Sequence, residues 1–300
     1  MTDLVVAGGT VLAPGGPARS EVFISAGRIV SVDPNVGTTG TGQGGTGGRN
    51  EDGTVGAGAE RSMVGAPAQD DAVMVVGEPS PAAGGGPGPG PGATTARLDA
   101  TNLLVAPGFV DLQCNGAVGV DLTTEPERLW EVAAALPRWG VTAWLPTVVT
   151  APPSVRRRAL AALRASPADG RPPSDPVAAT PLGLHLEGPF LAPERKGAHD
   201  IRYIVHPSAD VVDGEGWSRD AGVALVTLAP ELPRALEVVR SLVDRGVVVS
   251  AGHSSATADQ AAAAVEAGAT YVTHLFNAMA PLHHRAPGLA GLALTDERVR

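Results

Sequence analysis

From residue 103 onward the chain repeats one pattern: a short unbroken apolar run, a turn, then a stretch with helical spacing. The apolar runs cover 103–112, 141–145, 181–187, 223–228, 247–251 and 270–273, and the helical stretches 126–139, 154–165, 233–244 and 257–267. A strand that is apolar on both faces must be covered on both faces, so the alternation predicts a parallel sheet wrapped by helices. Six such strands predict an α/β fold, an incomplete TIM-like (β/α) barrel with about six of eight β-α units, occupying 103–300. No strand or helix pattern follows Thr295 in the final residues.

Residues 1–102 read differently. Leu4-Val5-Val6-Ala7, Val11-Leu12, Val22-Phe23-Ile24 and Ile29-Val30 alternate with turns, which predicts a small antiparallel β-sheet domain of sandwich type. From about 34 to 96 the composition collapses to Gly, Pro, Thr, Ala and Ser. Such a stretch cannot bury enough apolar surface to offset its ordering entropy, so it is expected to be a disordered insertion, with Val73-Met74-Val75-Val76 as one possible strand. Only 3% of residues are aromatic against 43% hydrophobic, so any core must be built from Val, Leu and Ala. A net charge of −9 argues against nonspecific nucleic-acid binding, yet leaves room for a small phosphorylated ligand that needs only a local basic site. A single cysteine, no signal-peptide pattern and no apolar run near ~18 residues lead to the expectation of a cytoplasmic protein without a membrane span.

Polar residues gather just after the apolar runs. Glu187 ends one strand, and a buried carboxylate there is costly unless a cation or hydrogen-bond donors meet it. His253 and His274 close two later strands, so Glu187, His253 and His274 are the expected ligands of one catalytic divalent metal ion. His185, two residues before Glu187 on the same strand face, is expected to orient the carboxylate, with a fourth ligand as the alternative. Lys196-Gly197-Ala198-His199 lies on the following loop. Asn277, Ala278 and Arg285 follow His274, and an Arg with a loop amide and backbone N–H groups can hold a phosphate.

These pieces in this order resemble the N-acetylglucosamine-6-phosphate deacetylases of the metal-dependent amidohydrolase superfamily. The resemblance rests on Pro107-Gly108-Phe109-Val110-Asp111-Leu112-Gln113 with Asn115-Gly116, His185-Leu186-Glu187-Gly188-Pro189-Phe190, Lys196-Gly197-Ala198-His199, Gly252-His253-Ser254, Thr273-His274-Leu275-Phe276-Asn277-Ala278-Met279, and Arg285 with Pro287-Gly288-Leu289. It implies that Glu187, His253 and His274 bind the metal (zinc first, with Fe, Co or Mn as alternatives). It also implies that Ala198 and His199 contact the sugar, and that Asn277, Ala278 and Arg285 hold the substrate, chiefly its phosphate. Gln113 and Asn115 stand where other amidohydrolases carry His-x-His for a second metal, which fits one ion, since neutral amides are poor transition-metal ligands. The implied reaction yields D-glucosamine 6-phosphate and acetate, and full-length members of the family are expected to be homodimers. The family's catalytic Asp, in a Thr-Asp-Ala type motif on the last barrel strand, is expected beyond residue 300. The chain therefore reads as a C-terminally truncated member whose own turnover is in doubt. The alternatives are a catalytically dead fragment that binds metal and sugar phosphate, and an amidohydrolase acting on a cyclic amide.

Overall fold

The structure is a computed structural model of the 300-residue chain and describes residues 4–7, 9–13, 16–25, 28–34, 73–76, 96–165 and 178–300. It divides into two compact units, Met1–Gly108 and Phe109–Arg300.

The first unit contains β1 (Leu4–Ala7), β2 (Thr10–Ala13), β3 (Gly16–Ser25), β4 (Arg28–Pro34), β5 (Val73–Val76), β6 (Ala96–Asp99) and β7 (Leu104–Pro107). The long β3 runs antiparallel to β2 through its first half and to β1 and β4 through its second. β6 joins β1 and β7 joins β2 in parallel, so the sheet is mixed where an antiparallel one was expected. Val6, Val11, Val22, Ala100 and Val105 form its buried apolar cluster. Of the expected insertion, Pro34, Ala96 and the strand Val73–Val76 are described, the last paired antiparallel with β7; the remainder lies outside the described residues. Leu104–Pro107 was expected to open the barrel. It pairs instead with β2 and β5, and the next sheet starts at Phe109. The apolar run continues across Gly108, so nothing in its periodicity marks the change of sheet.

The second unit is the partial barrel. Its strands are β8 (Phe109–Cys114), β9 (Val141–Val149), β10 (Thr180–Pro181), β11 (Leu184–Glu187), β12 (Val223–Leu228), β13 (Val248–Ala251) and β14 (Tyr271–Val272). All pairings are parallel, in the order β8-β9-β11-β12-β13-β14, with β10 on β9 just ahead of β11. Neighbours in sequence are neighbours in the sheet throughout. An open doubly wound sheet reverses its strand order at one point; a barrel does not. At the far end, Arg300 N–H donates to Thr270 O and Val272 N–H to Arg300 O, so residues after the last helix return to the sheet beside β14.

Among the described residues six α-helices follow the strands: α1 (Leu129–Ala135), α2 (Pro153–Arg164), α3 (Ala209–Glu215), α4 (Ala235–Asp244), α5 (Ala258–Glu266) and α6 (Gly288–Thr295). The expected 126–139 helix keeps its α form only through α1; prolines at 126 and 137 coincide with tight 3-10 turns at its two ends. α5 starts with a reciprocal cap in which the Thr257 hydroxyl accepts from Gln260 N–H and the Gln260 amide oxygen from Thr257 N–H. α3 and α6 were not expected. α3 is short and carries two Asp and a Gly, whereas α6 is apolar on every side, so neither shows an amphipathic stripe.

Strand alternation sorts the side chains. Leu184, Leu186, Val226, Leu228, Val247 and Val249 pack with Leu160, Val238 and Leu242 of the helices, each such burial stabilising by roughly 1.5–3 kcal/mol. The opposite face carries an apolar cluster of Leu145 and Leu225 with Val248, then a layer with Thr147, His185, Thr227 and Ser250, then Glu187 at the strand ends. Among the described residues, no helix is long and apolar enough to cross a membrane.

Candidate metal centre

Glu187 is the hub. It is 4% exposed, and its Oε1 lies 3.1 Å from His253 Nε2 and 3.3 Å from His274 Nε2, while the two Nε2 atoms are 3.0 Å apart. The other nitrogen of each ring decides what these contacts mean. His253 Nδ1 sits 2.8 Å from Arg195 O and His274 Nδ1 3.0 Å from Asn277 O. A carbonyl oxygen only accepts, so both Nδ1 atoms carry the proton, and in the neutral rings both Nε2 atoms present lone pairs. A carboxylate oxygen and two imine nitrogens therefore face one another. Such a group is stable only with a cation in its midst, either a proton or a metal ion.

The acid-base chemistry follows from the same contacts. Burial would push the Glu187 carboxyl up, but the imidazoles of His199, His253 and His274 outweigh it and hold the group well below the usual carboxylate range. The contact with Glu187 raises His274 above the ordinary imidazole value.

His199 differs. Its Nδ1 accepts from Thr150 N–H at 3.1 Å, so its proton is on Nε2, which faces Glu187 Oε2 at 3.6 Å. Glu187, His199 and His253 have ligand atoms within 4.8 Å of one another, so closeness alone admits His199 as well as His274 as the third partner.

Gln113 at the end of β8 donates from Nε2 to Glu187 Oε1 at 2.8 Å. The expected carboxylate partner, His185, is buried on the same strand face, but its ring bonds elsewhere. Its Nδ1 donates to Leu112 O at 3.1 Å, and its Nε2 accepts from the Thr227 hydroxyl at 2.8 Å. Thr227 Oγ1 then accepts from Thr273 (2.7 Å), and Thr273 Oγ1 from Ser250 (2.6 Å). Burial lowers His185 to about 4, so it is neutral near pH 7 and every hydrogen bond in this row has one direction. Inward-facing Thr and Ser inside apolar strands were the sequence signal for this row.

The backbone is contorted around the centre. Gly188 has φ +85°, and a Cβ there would stand 2.1 Å from Thr150 Oγ1, which donates to Glu187 O. His253, His274, Phe276 and Ala278 have φ of +48°, +33°, +72° and +49°, values that persist only where surrounding contacts over-determine them. Asn277 and Ala278 belong to this loop after β14 and touch the centre through their carbonyls, Ala278 O accepting from Ser254 N–H. Asn115, Ala198 and Arg285 are exposed, and among the described residues none makes a hydrogen bond or ion pair to the Glu187 group.

A partial barrel of sequential parallel strands, whose ends gather a buried carboxylate among imidazoles, has the arrangement of the amidohydrolase class. No protein-family model matches the chain. The chain is 43% identical over 209 residues to N-acetylglucosamine-6-phosphate deacetylase of Danio rerio, covering 68% of this chain and 50% of that protein. It is 42% identical over 206 residues to the Homo sapiens protein of the same name, covering 67% and 49%. The solved structure of a mutant N-acetyl-D-glucosamine-6-phosphate deacetylase of Mycobacterium smegmatis, in complex with N-acetyl-D-glucosamine-6-phosphate, matches with a TM-score of 0.66 and 30% identity, over 100% of this chain and 62% of that one. The chain belongs to the N-acetylglucosamine-6-phosphate deacetylase family. It spans about half the length of the curated relatives it matches.

Proposed function

We propose that Glu187, His253 and His274 hold one divalent metal ion, zinc by preference, and that the whole protein hydrolyses N-acetyl-D-glucosamine 6-phosphate to D-glucosamine 6-phosphate and acetate. The observation that carries this reading is the meeting of three lone pairs, Glu187 Oε1 and the Nε2 atoms of His253 and His274, within 3.3 Å. One carboxylate and two imidazoles form a three-ligand donor set of the kind suited to a catalytic zinc, which keeps a further position for water. When bound, the ion supplies Lewis acidity, acidifying water and polarising a carbonyl.

The remaining roles belong to the chain. His199 is set apart from the ligands because Thr150 N–H occupies its Nδ1 and leaves Nε2 as a donor. That N–H suits the acetyl oxygen, on which negative charge grows as the amide is attacked. Gln113 holds Glu187 in place and, with Asn115, offers only neutral amides, which supports a single ion. The left-handed residues at 274, 276 and 278 fold this loop on itself, with Asn277 N–H donating to His274 O and Phe276 N–H to Met279 Sδ, and the exposed Arg285 near it offers a guanidinium suited to phosphate oxygens. Ala198 is placed by the same loop as His199 and would meet the sugar.

The deciding experiment is equilibrium binding of glucosamine 6-phosphate to the zinc-loaded chain, beside acetate release from the acetylated substrate. Zinc-dependent binding that Arg285→Ala abolishes is expected. A zinc-loaded chain that ignores the sugar phosphate would refute the assignment, and binding without acetate release would make these 300 residues a binder only.

A further inference from the structure

We infer that Glu231, on the loop after β12, is a positioning residue that sets the affinity of the metal centre through the 253–255 segment. Its carboxylate accepts from the Ser254 hydroxyl at 2.7 Å and from Ser255 N–H at 2.5 Å. Both are charge-assisted bonds, stronger than neutral ones. Two further loops grip the same segment. After β11, Arg195 accepts from His253 Nδ1 and gives its Nε–H to Ser255 Oγ at 2.9 Å, and Ala192 N–H donates to His253 O. After β14, Ala278 O accepts from Ser254 N–H, and Ser254, wholly buried, spends its hydroxyl oxygen on Ala256 N–H. His253 holds φ +48° between these contacts. Glu231 supplies the only carboxylate among them, and through Ser254 it joins the His253 turn to the loop that carries His274 and Asn277. Loss of its bonds frees the His253 turn to relax toward an ordinary backbone, which moves Nε2 away from Glu187 Oε1.

This inference rests on the proposed ligand set. The test is zinc affinity of the 300-residue chain by competition with a chromogenic chelator, with the melting temperature of the chelated protein measured alongside. Glu231→Ala is expected to weaken zinc binding by ~10–100-fold, the usual size for partners of metal ligands. Its chelated melting temperature should stay near wild type. Glu231→Gln, which keeps an acceptor for Ser255 N–H, should recover most of the affinity. Ser254→Ala should weaken binding by itself and add little to Glu231→Ala, because the two share one contact. Wild-type zinc affinity in Glu231→Ala overturns the inference, as does weakened binding matched by an equal loss of stability in the chelated protein. A wild-type chain that takes up no zinc would overturn the ligand set as well.

Discussion

The choice between His274 and His199 as the third ligand can be settled by one pair of variants. At a zinc concentration of ~100 times Kd, binding stabilises the native state by about 2.7 kcal/mol. For a folding unit the size of Phe109–Arg300, each kcal/mol shifts Tm by roughly 2–4 °C, so zinc should raise it by about 5–11 °C. His274→Ala removes one of three lone pairs. That loss should exceed the ~10–100-fold seen for residues that merely support ligands. At the same zinc concentration less than about 0.4 kcal/mol then remains, a shift under about 2 °C. His199→Ala leaves Thr150 N–H without its acceptor, which destabilises the fold by about 1–3 kcal/mol, but equally with and without metal. The difference between zinc-loaded and chelated samples cancels that penalty, so His199→Ala should keep most of the zinc shift. Differential scanning fluorimetry of the two variants, each with zinc and with chelator, is the assay. The reverse pattern, with the shift abolished in His199→Ala and intact in His274→Ala, would refute the tautomer reasoning and make Glu187, His199 and His253 the ligands.

Gly188→Ala should destabilise the chelated protein by about 2–5 kcal/mol, since it combines a left-handed backbone with a Cβ 2.1 Å from Thr150 Oγ1; a denaturant midpoint unchanged from wild type would contradict this. Arg156→Ala should cost about 3–5 kcal/mol in urea unfolding: the side chain is 5% exposed and bonds Glu215 through two nitrogens (2.9 and 2.5 Å) and Ala151 O through a third. A loss under 1 kcal/mol would mean the buried carboxylate finds another partner. His185 makes stability depend on pH. Its folded value of about 4 lies below the unfolded value near 6.5, so as pH falls through that window the unfolded chain takes up the proton first. Stability present above about 6.5 is lost toward 4, by up to about 3 kcal/mol relative to His185→Gln. Parallel stability-pH curves for the two proteins would rule this out.

Much of the barrel could be read from residues alone, because a run such as Val223–Leu228, buried at every position, has no other home than a covered parallel strand. The face shared by His185 and Glu187 followed from strand alternation. What touches that face did not. Gln113 rather than His185 meets the carboxylate because β8 and β11 are staggered against β9, and stagger between strands leaves no trace in either strand's own sequence. The proton positions on His253 and His274 depend on the carbonyls of Arg195 and Asn277, and every residue type has a carbonyl. In the sequence Glu231 is one more polar residue past a strand; its tie to Ser254 and Ser255 needed the folded loops.

The row from Ser250 to His185 has a consequence for the barrel as a whole. Leu112 O can only receive, so every hydroxyl behind it must lean the same way, and the row runs crosswise from the β14 end to β8. It acts as a belt across the staves. A strand that slid lengthwise by one residue would turn its hydroxyl outward and leave its neighbours without a partner, so the row guards the alignment on which the proposed metal centre above it stands.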